Sequence, residues 1–83
     1  MTFKTTNYFN FVRQRPDRAM IQEEWIEYVM MNPIHEEIQA DGRIRRWVKI
    51  DEADGRYLRV ILLADAETVH NAFFDRRFKE KQT

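Results

Sequence analysis

The 83-residue chain contains no cysteine and no serine, and only two glycines and two prolines. Without cysteine there is no disulfide, no thiolate nucleophile and no cysteine-based zinc site, a composition suited to a reducing cytosol. Without serine as well, no conventional nucleophile triad can be assembled. A phosphate-cradling loop needs several glycines close together, because the backbone must approach the phosphates. Gly42 and Gly55 stand 13 positions apart, so both common kinds of nucleotide-binding loop are excluded. Long apolar runs are missing too: the longest, Val60 to Ala64, falls far short of a membrane span. Met1 to Thr6 lacks the apolar stretch of a signal peptide, and a cytoplasmic, non-membrane location is expected. No His/Asp/Glu grouping has metal-ligand spacing, and no metal or other cofactor is expected.

What is present is an ordinary globular mixture, 43% hydrophobic and 13% aromatic, enough for one core. One domain over residues 1–83 is expected, with a helical part at about 6–32, a β-meander at about 34–75 and a polar tail at 78–83. The zero net charge conceals two unlike halves. Residues 1–42 carry four basic and seven acidic side chains, a net of −3, and residues 43–83 carry ten and seven, a net of +3. A basic half suits an anion-binding surface, although charge counting alone describes a mixed solvated surface equally well.

Both glycines follow aspartate, and Asp-Gly between strand-like segments signals a hairpin because tight turns need positive φ. Strands are expected over Ile34–Ala40, Arg43–Ile50, Arg56–Leu63 and, after a turn at Ala64-Asp65-Ala66, Glu67–Phe74. Upstream, Arg18–Met31 has no glycine or proline and repeats Ile21, Trp25, Tyr28 and Val29 at helical spacing, with Asp17 as N-cap and Pro33 as terminator. Tyr8, Phe9, Phe11 and Val12 line a shorter helix capped by Thr6 or Asn7, while Thr2–Thr6 suits a short strand. The aromatic residues of that helix are expected in the core. The expected fold is α+β: two N-terminal helices packed on a four-stranded antiparallel β-meander.

Alternation places Ile44, Val48, Ile50, Leu58, Val60 and Leu62 beneath the helices, and Arg46, of the same parity, is expected to snorkel or pair with an acid. The opposite face then carries Arg43, Arg45, Trp47 and Lys49, with Arg59 between Tyr57 and Ile61. Guanidinium groups grip phosphate in a fork and an interleaved aromatic offers a stacking surface, so this stripe is the first candidate site. An exposed strand bearing charges against aggregation would look the same. Arg76 and Arg77 end the last strand, where they can close over an anion held on the sheet; an ordinary charged terminus with Phe78 plugging the core is the alternative. His70, mid-strand with Thr68 and Ala72, suits either a general acid or base near neutral pH or a hydrogen-bonded structural role.

The order helix, helix, meander, with Gly55-Arg56-Tyr57-Leu58-Arg59-Val60-Ile61-Leu62 followed by Thr68-Val69 and Asp75-Arg76-Arg77, resembles the RelE/ParE-like toxin superfamily, and within it the small BrnT-like bacterial and phage-associated domains. The resemblance spans roughly residues 8–79 and rests on short motifs. It implies a type II toxin of a toxin–antitoxin pair, a metal-independent endoribonuclease in which the RNA's own 2′-hydroxyl attacks the adjacent phosphate. Arg59 and Arg77 (or Arg76) would stabilise the phosphorane charge, and His70 or Lys49 would assist proton transfer. Arg43, Arg45, Trp47 and Arg76 would bind RNA, free or ribosome-bound, and an antitoxin-like protein would be the partner. The chain departs from the pattern in its neutral charge and in having no tyrosine in Phe78–Thr83. A non-catalytic module using the same face for RNA or a protein partner is therefore the alternative, and a homodimer joined through edge strands is compatible with both.

Overall fold

The computed structural model describes residues 3–80. The elements run β1 (Lys4–Thr5), α1 (Asn7–Val12), α2 (Pro16–Ala19), α3 (Glu23–Met31), β2 (His35–Ile38), β3 (Ile44–Ile50), a 3-10 turn (Asp51–Ala53), β4 (Arg56–Leu62) and β5 (Thr68–Phe74). The α+β class holds, with two corrections to the expected architecture. The sheet has five strands in the order β1-β5-β4-β3-β2 and is mixed, because β1 pairs parallel to β5 while β2 to β5 form the expected antiparallel meander. Three helices, not two, are found among the described residues, of which α1 packs on β5 and α3 on β3 and β4 over one face of the sheet.

The long helix expected over Arg18–Met31 is two. Pro16 sits in the first turn of α2, where its missing N–H costs nothing, and Arg15 rather than Asp17 is the residue before it. The chain leaves helical geometry after Ala19 and restarts at Glu23 behind Gln22. The break lets Ile21 enter the core from the connecting turn while α3 rolls Ile26 and Val29 inward, leaving Trp25 half-buried and Tyr28 exposed. Asn32 closes α3 ahead of Pro33, as expected. At the N-terminus, Thr6 is extended and its hydroxyl accepts from the Phe9 N–H at 3.1 Å, the expected cap. With six residues, α1 can bury one narrow stripe against β5. Phe9 and Val12 occupy it, and Tyr8 and Phe11 face outward, against the expectation of core.

The turns differ in kind from the tight Asp-Gly hairpin. Gly42 lies at φ +90 in a loop closed by Gln39 N–H to the Arg43 carbonyl at 2.8 Å, and Gly42 N–H to Gln39 at 2.9 Å. Asp54 and Gly55 both have positive φ, but they close a five-residue connection that begins with the 3-10 turn. The strand interiors are as the alternation requires: Ile44, Val48, Ile50, Leu58, Val60 and Leu62 are all buried beneath the helices with Val69 and Ala72. Burying each such aliphatic side chain is worth about 2 kcal/mol, so this layer is the principal source of stability. Arg46 reaches out of it to Glu36 at 2.6 Å and to the Met30 carbonyl at 2.9 Å.

A bulge between β4 and β5 places Leu62 opposite Val69 and Ile61 opposite Asn71. One extra residue, His70, is inserted, so Val69 and Ala72 both point into the core. His70 therefore does not share a face with Ala72.

Candidate nucleic-acid interface

On the face away from the helices the register sets side chains in rows. Trp47 lies beside Arg59 and Arg59 beside Phe73; Arg45 lies beside Ile61 and Ile61 beside Asn71; Lys49 lies beside Tyr57. The stripe Arg45, Trp47, Lys49 and Arg59 thus shares one face. It is not an open stripe, however. Beyond β5 the chain turns back over the sheet, and the Phe78 ring stacks on the Trp47 indole at 4.9 Å and 16°. Tyr57 and His35 flank Phe78 at 5.1 and 5.5 Å, and the Tyr57 hydroxyl donates to Glu80 at 2.9 Å. Trp47 is left 3% exposed. Phe78 belongs to a packed aromatic group; of the tail expected to be loose, residues 81–83 lie outside the described residues.

Asp75 fastens this return. Trp47 Nε1 donates to its Oδ2 at 3.0 Å, Arg59 Nη1 approaches the same oxygen at 3.5 Å, and the Arg77 N–H donates to Oδ1 at 3.0 Å. Desolvation pushes the Asp75 pKa up, but the hydrogen bonds and the Arg59 charge outweigh it and hold the carboxyl below its usual value. Arg59 lies between the Trp47 and Phe73 rings, 5.5 and 5.1 Å from their centroids, and its Nε is buried without a hydrogen-bond partner among the described residues. Burial, then repulsion from Arg45, lowers its pKa, partly offset by Asp75.

The other expected site residues are dispersed. Arg45 faces Glu37 at 3.9 Å, and Arg43 is exposed in the hairpin loop beside Asp41 at 3.7 Å. Lys49 is exposed near the Gly55 turn. His70 stands at the opposite end of the sheet, hydrogen-bonded through Nδ1 to the Thr6 hydroxyl at 3.1 Å and stacked on Tyr8 at 5.0 Å. Burial and the nearby Arg43 lower its pKa, opposed by Asp41. His70 is three residue steps from Phe73, the neighbour of Arg59, about 10 Å along an extended strand. Arg59, Arg77, His70 and Lys49 consequently do not converge on one point.

A different constellation does converge. Where β4 begins and β5 ends, an open groove of about 800 Å³ is lined by Arg18 from α2, Arg56 and Tyr57 from β4, Phe73 and Phe74 from β5, and Arg76 and Phe78 beyond it, together with Met20, Asp17 and Asp75. Arg18 lies over the Phe73 ring at 5.1 Å and donates to Asn71 Oδ1 at 2.7 Å, with Asp17 3.4 Å away. Arg56 lies over Phe74 at 4.0 Å, its Nε donating to the Ala53 carbonyl. Arg76 is exposed and makes no ion pair among the described residues.

No family model, curated protein or solved structure matches this chain.

Of the groove residues, Arg76 alone was expected at a binding site, and Arg56 stood within the Gly55–Leu62 motif. Arg18, Phe73 and Phe74 were missed, since nothing local links α2 to the end of β5, 53 residues away. Among the described residues no group of three or more His, Asp or Glu side chains is placed to hold a metal, and no helix is long and apolar enough to cross a membrane.

Proposed function

We propose that the protein is a non-catalytic module that binds single-stranded nucleic acid, RNA in the first instance, along the groove at the open end of the sheet. The observation that carries this reading is the convergence of Arg18, Arg56 and Arg76, from three separate parts of the chain, on an open aromatic-lined groove of about 800 Å³. Arg56, centred 4.0 Å over the Phe74 ring with its Nε on the Ala53 carbonyl, keeps its terminal N–H groups for a phosphate, and Arg76 is exposed beside it. The toxin-type endoribonuclease implied by the resemblance makes a further demand, a proton-transfer group beside the phosphate held by Arg59. The distance of His70 from Arg59 along β5, together with the engagement of Arg59 by Asp75, favours binding over cleavage.

The test is titration of a fluorescein-labelled hexauridylate at several salt concentrations, with the RNA recovered and sized afterwards. Three phosphate contacts give a log–log salt slope of about −2 for a single strand, and Arg56→Ala and Arg76→Ala should each reduce its steepness by about 0.7. The RNA should remain intact. Salt-independent binding, or full binding by the Arg56→Ala/Arg76→Ala double variant, would refute the groove. Discrete cut ends that vanish in Arg59→Ala would restore the ribonuclease.

A further inference from the structure

We infer that the Trp47–Tyr57 slot beneath Phe78 is a second stacking subsite, made for one nucleobase of the strand held in the groove, and that Phe78 occupies it in the unliganded protein. The inference rests on the groove reading and extends it to a neighbouring site. The slot already receives a flat ring: Phe78 lies nearly parallel to the Trp47 indole, with Tyr57 tilted against its side. It adjoins the groove directly, since Tyr57 and Phe78 line both. A planar base entering it would find more than Phe78 supplies, because the Arg59 Nε buried beside Trp47 has no acceptor among the described residues and a base carries ring nitrogens and carbonyl oxygens.

The covering segment is lightly held. Its root is fixed by Asp75, whose backbone N–H donates to the Tyr57 carbonyl at 2.9 Å and whose carboxylate holds Trp47 and Arg59. Past that root, its bonds to the sheet among the described residues are the ring contacts of Phe78 and an exposed hydrogen bond from Tyr57 to Glu80. Rotation of the backbone at Arg76 and Arg77 would lift Phe78 away while leaving the Asp75 anchor in place. The same motion carries the cationic side chains of Arg77 and Lys79, both exposed, across the strand's path. Exchange of a phenyl ring for a base on the same indole conserves the stacking and adds a hydrogen bond, so binding and uncovering are coupled.

The experiment uses the Trp25→Phe protein, in which Trp47 is the sole tryptophan. Hexauridylate is titrated while Trp47 emission and strand anisotropy are followed together. Phe78→Ala should bind about tenfold more tightly than the parent and show strong Trp47 quenching on saturation, since one competing ring has been removed from the slot. Glu80→Ala keeps Phe78 and loosens only the end of the segment; a two- to threefold gain in the same direction is expected, and this variant serves if Phe78→Ala unfolds. Binding by all three proteins with equal affinity and unquenched Trp47 would overturn the subsite and leave the groove standing. Failure of all three to bind at any salt concentration would overturn the groove reading and the subsite with it.

Discussion

Asp75→Ala is the most informative single change, because one carboxylate serves three donors. Its Oδ2 accepts from Trp47 Nε1 at 3.0 Å and faces Arg59 Nη1 at 3.5 Å, and its Oδ1 accepts from the Arg77 N–H. Trp47 is 3% exposed, so its N–H loses its acceptor in a nearly dry setting; loss of a hydrogen bond to a charged acceptor at such a position costs about 2 kcal/mol. Arg59 and Asp75 side chains are 19% and 13% exposed, which adds about 1 kcal/mol for the stranded guanidinium. The total of about 3 kcal/mol is a large part of the stability of a domain this size and should lower Tm by roughly 10–25 °C. Asp75→Asn keeps one oxygen for Trp47 and should lose about 1 kcal/mol. The assay is urea unfolding followed by Trp47 emission, with thermal melts alongside. If Asp75→Ala loses less than about 1 kcal/mol, the carboxylate does not bridge the strand end to the sheet and the argument fails. Acid titration supplies an independent check. The Asp75 carboxyl is held below its ordinary value, so its contribution is fully present above about pH 4 and disappears as pH falls through the folded-state value. Asp75→Asn should flatten that part of the acid limb.

Thr6→Ala removes both the α1 cap and the hydrogen-bond partner of His70, and should cost about 1–2 kcal/mol in urea unfolding, with Thr6→Ser close to the parent. His70 has a lowered pKa, so the folded protein binds its proton less readily than the unfolded chain. Stability should therefore decline as pH drops from about 6.5 through the folded-state value, and His70→Gln should remove that slope in pH-dependent melts. Gly55→Ala should cost about 1 kcal/mol through its φ of +73 alone, because the added methyl would meet only the flexible end of Lys49, 3.0 Å away. Pairing it with Lys49→Ala should recover none of that loss in the same melts.

The legible parts of the fold were those with a local period. The two-residue alternation of Ile44–Ile50 and Arg56–Leu62 was enough to sort the buried aliphatics from the arginines on the other face. The capping of α1 by Thr6 and the stop at Asn32–Pro33 were equally readable. The break after Ala19 was not, since Ile21, Trp25, Tyr28 and Val29 fit one helical stripe while the core takes Ile21 from the connecting turn and Ile26 from α3. The pairing of β1 with β5 and the bulge at His70 depend on partners far away in sequence. At the candidate site, the register united Trp47 and Arg59 as the alternation implied. A lone phenylalanine in Phe78–Thr83 carries no periodicity, and the cover over Trp47 could not be read from it.

The parallel contact of β1 with β5 also sets an order of events in folding. Thr6 and His70 are 64 residues apart, so closing that edge requires nearly the whole chain to be available. Emerging from a ribosome, the three helices would have no sheet to pack on until the meander followed them, and a two-residue strand has no stability of its own. The helices and the far edge of the sheet should thus be acquired late and lost early: amides of β1 and α1 should exchange with solvent well before those of β3 and β4.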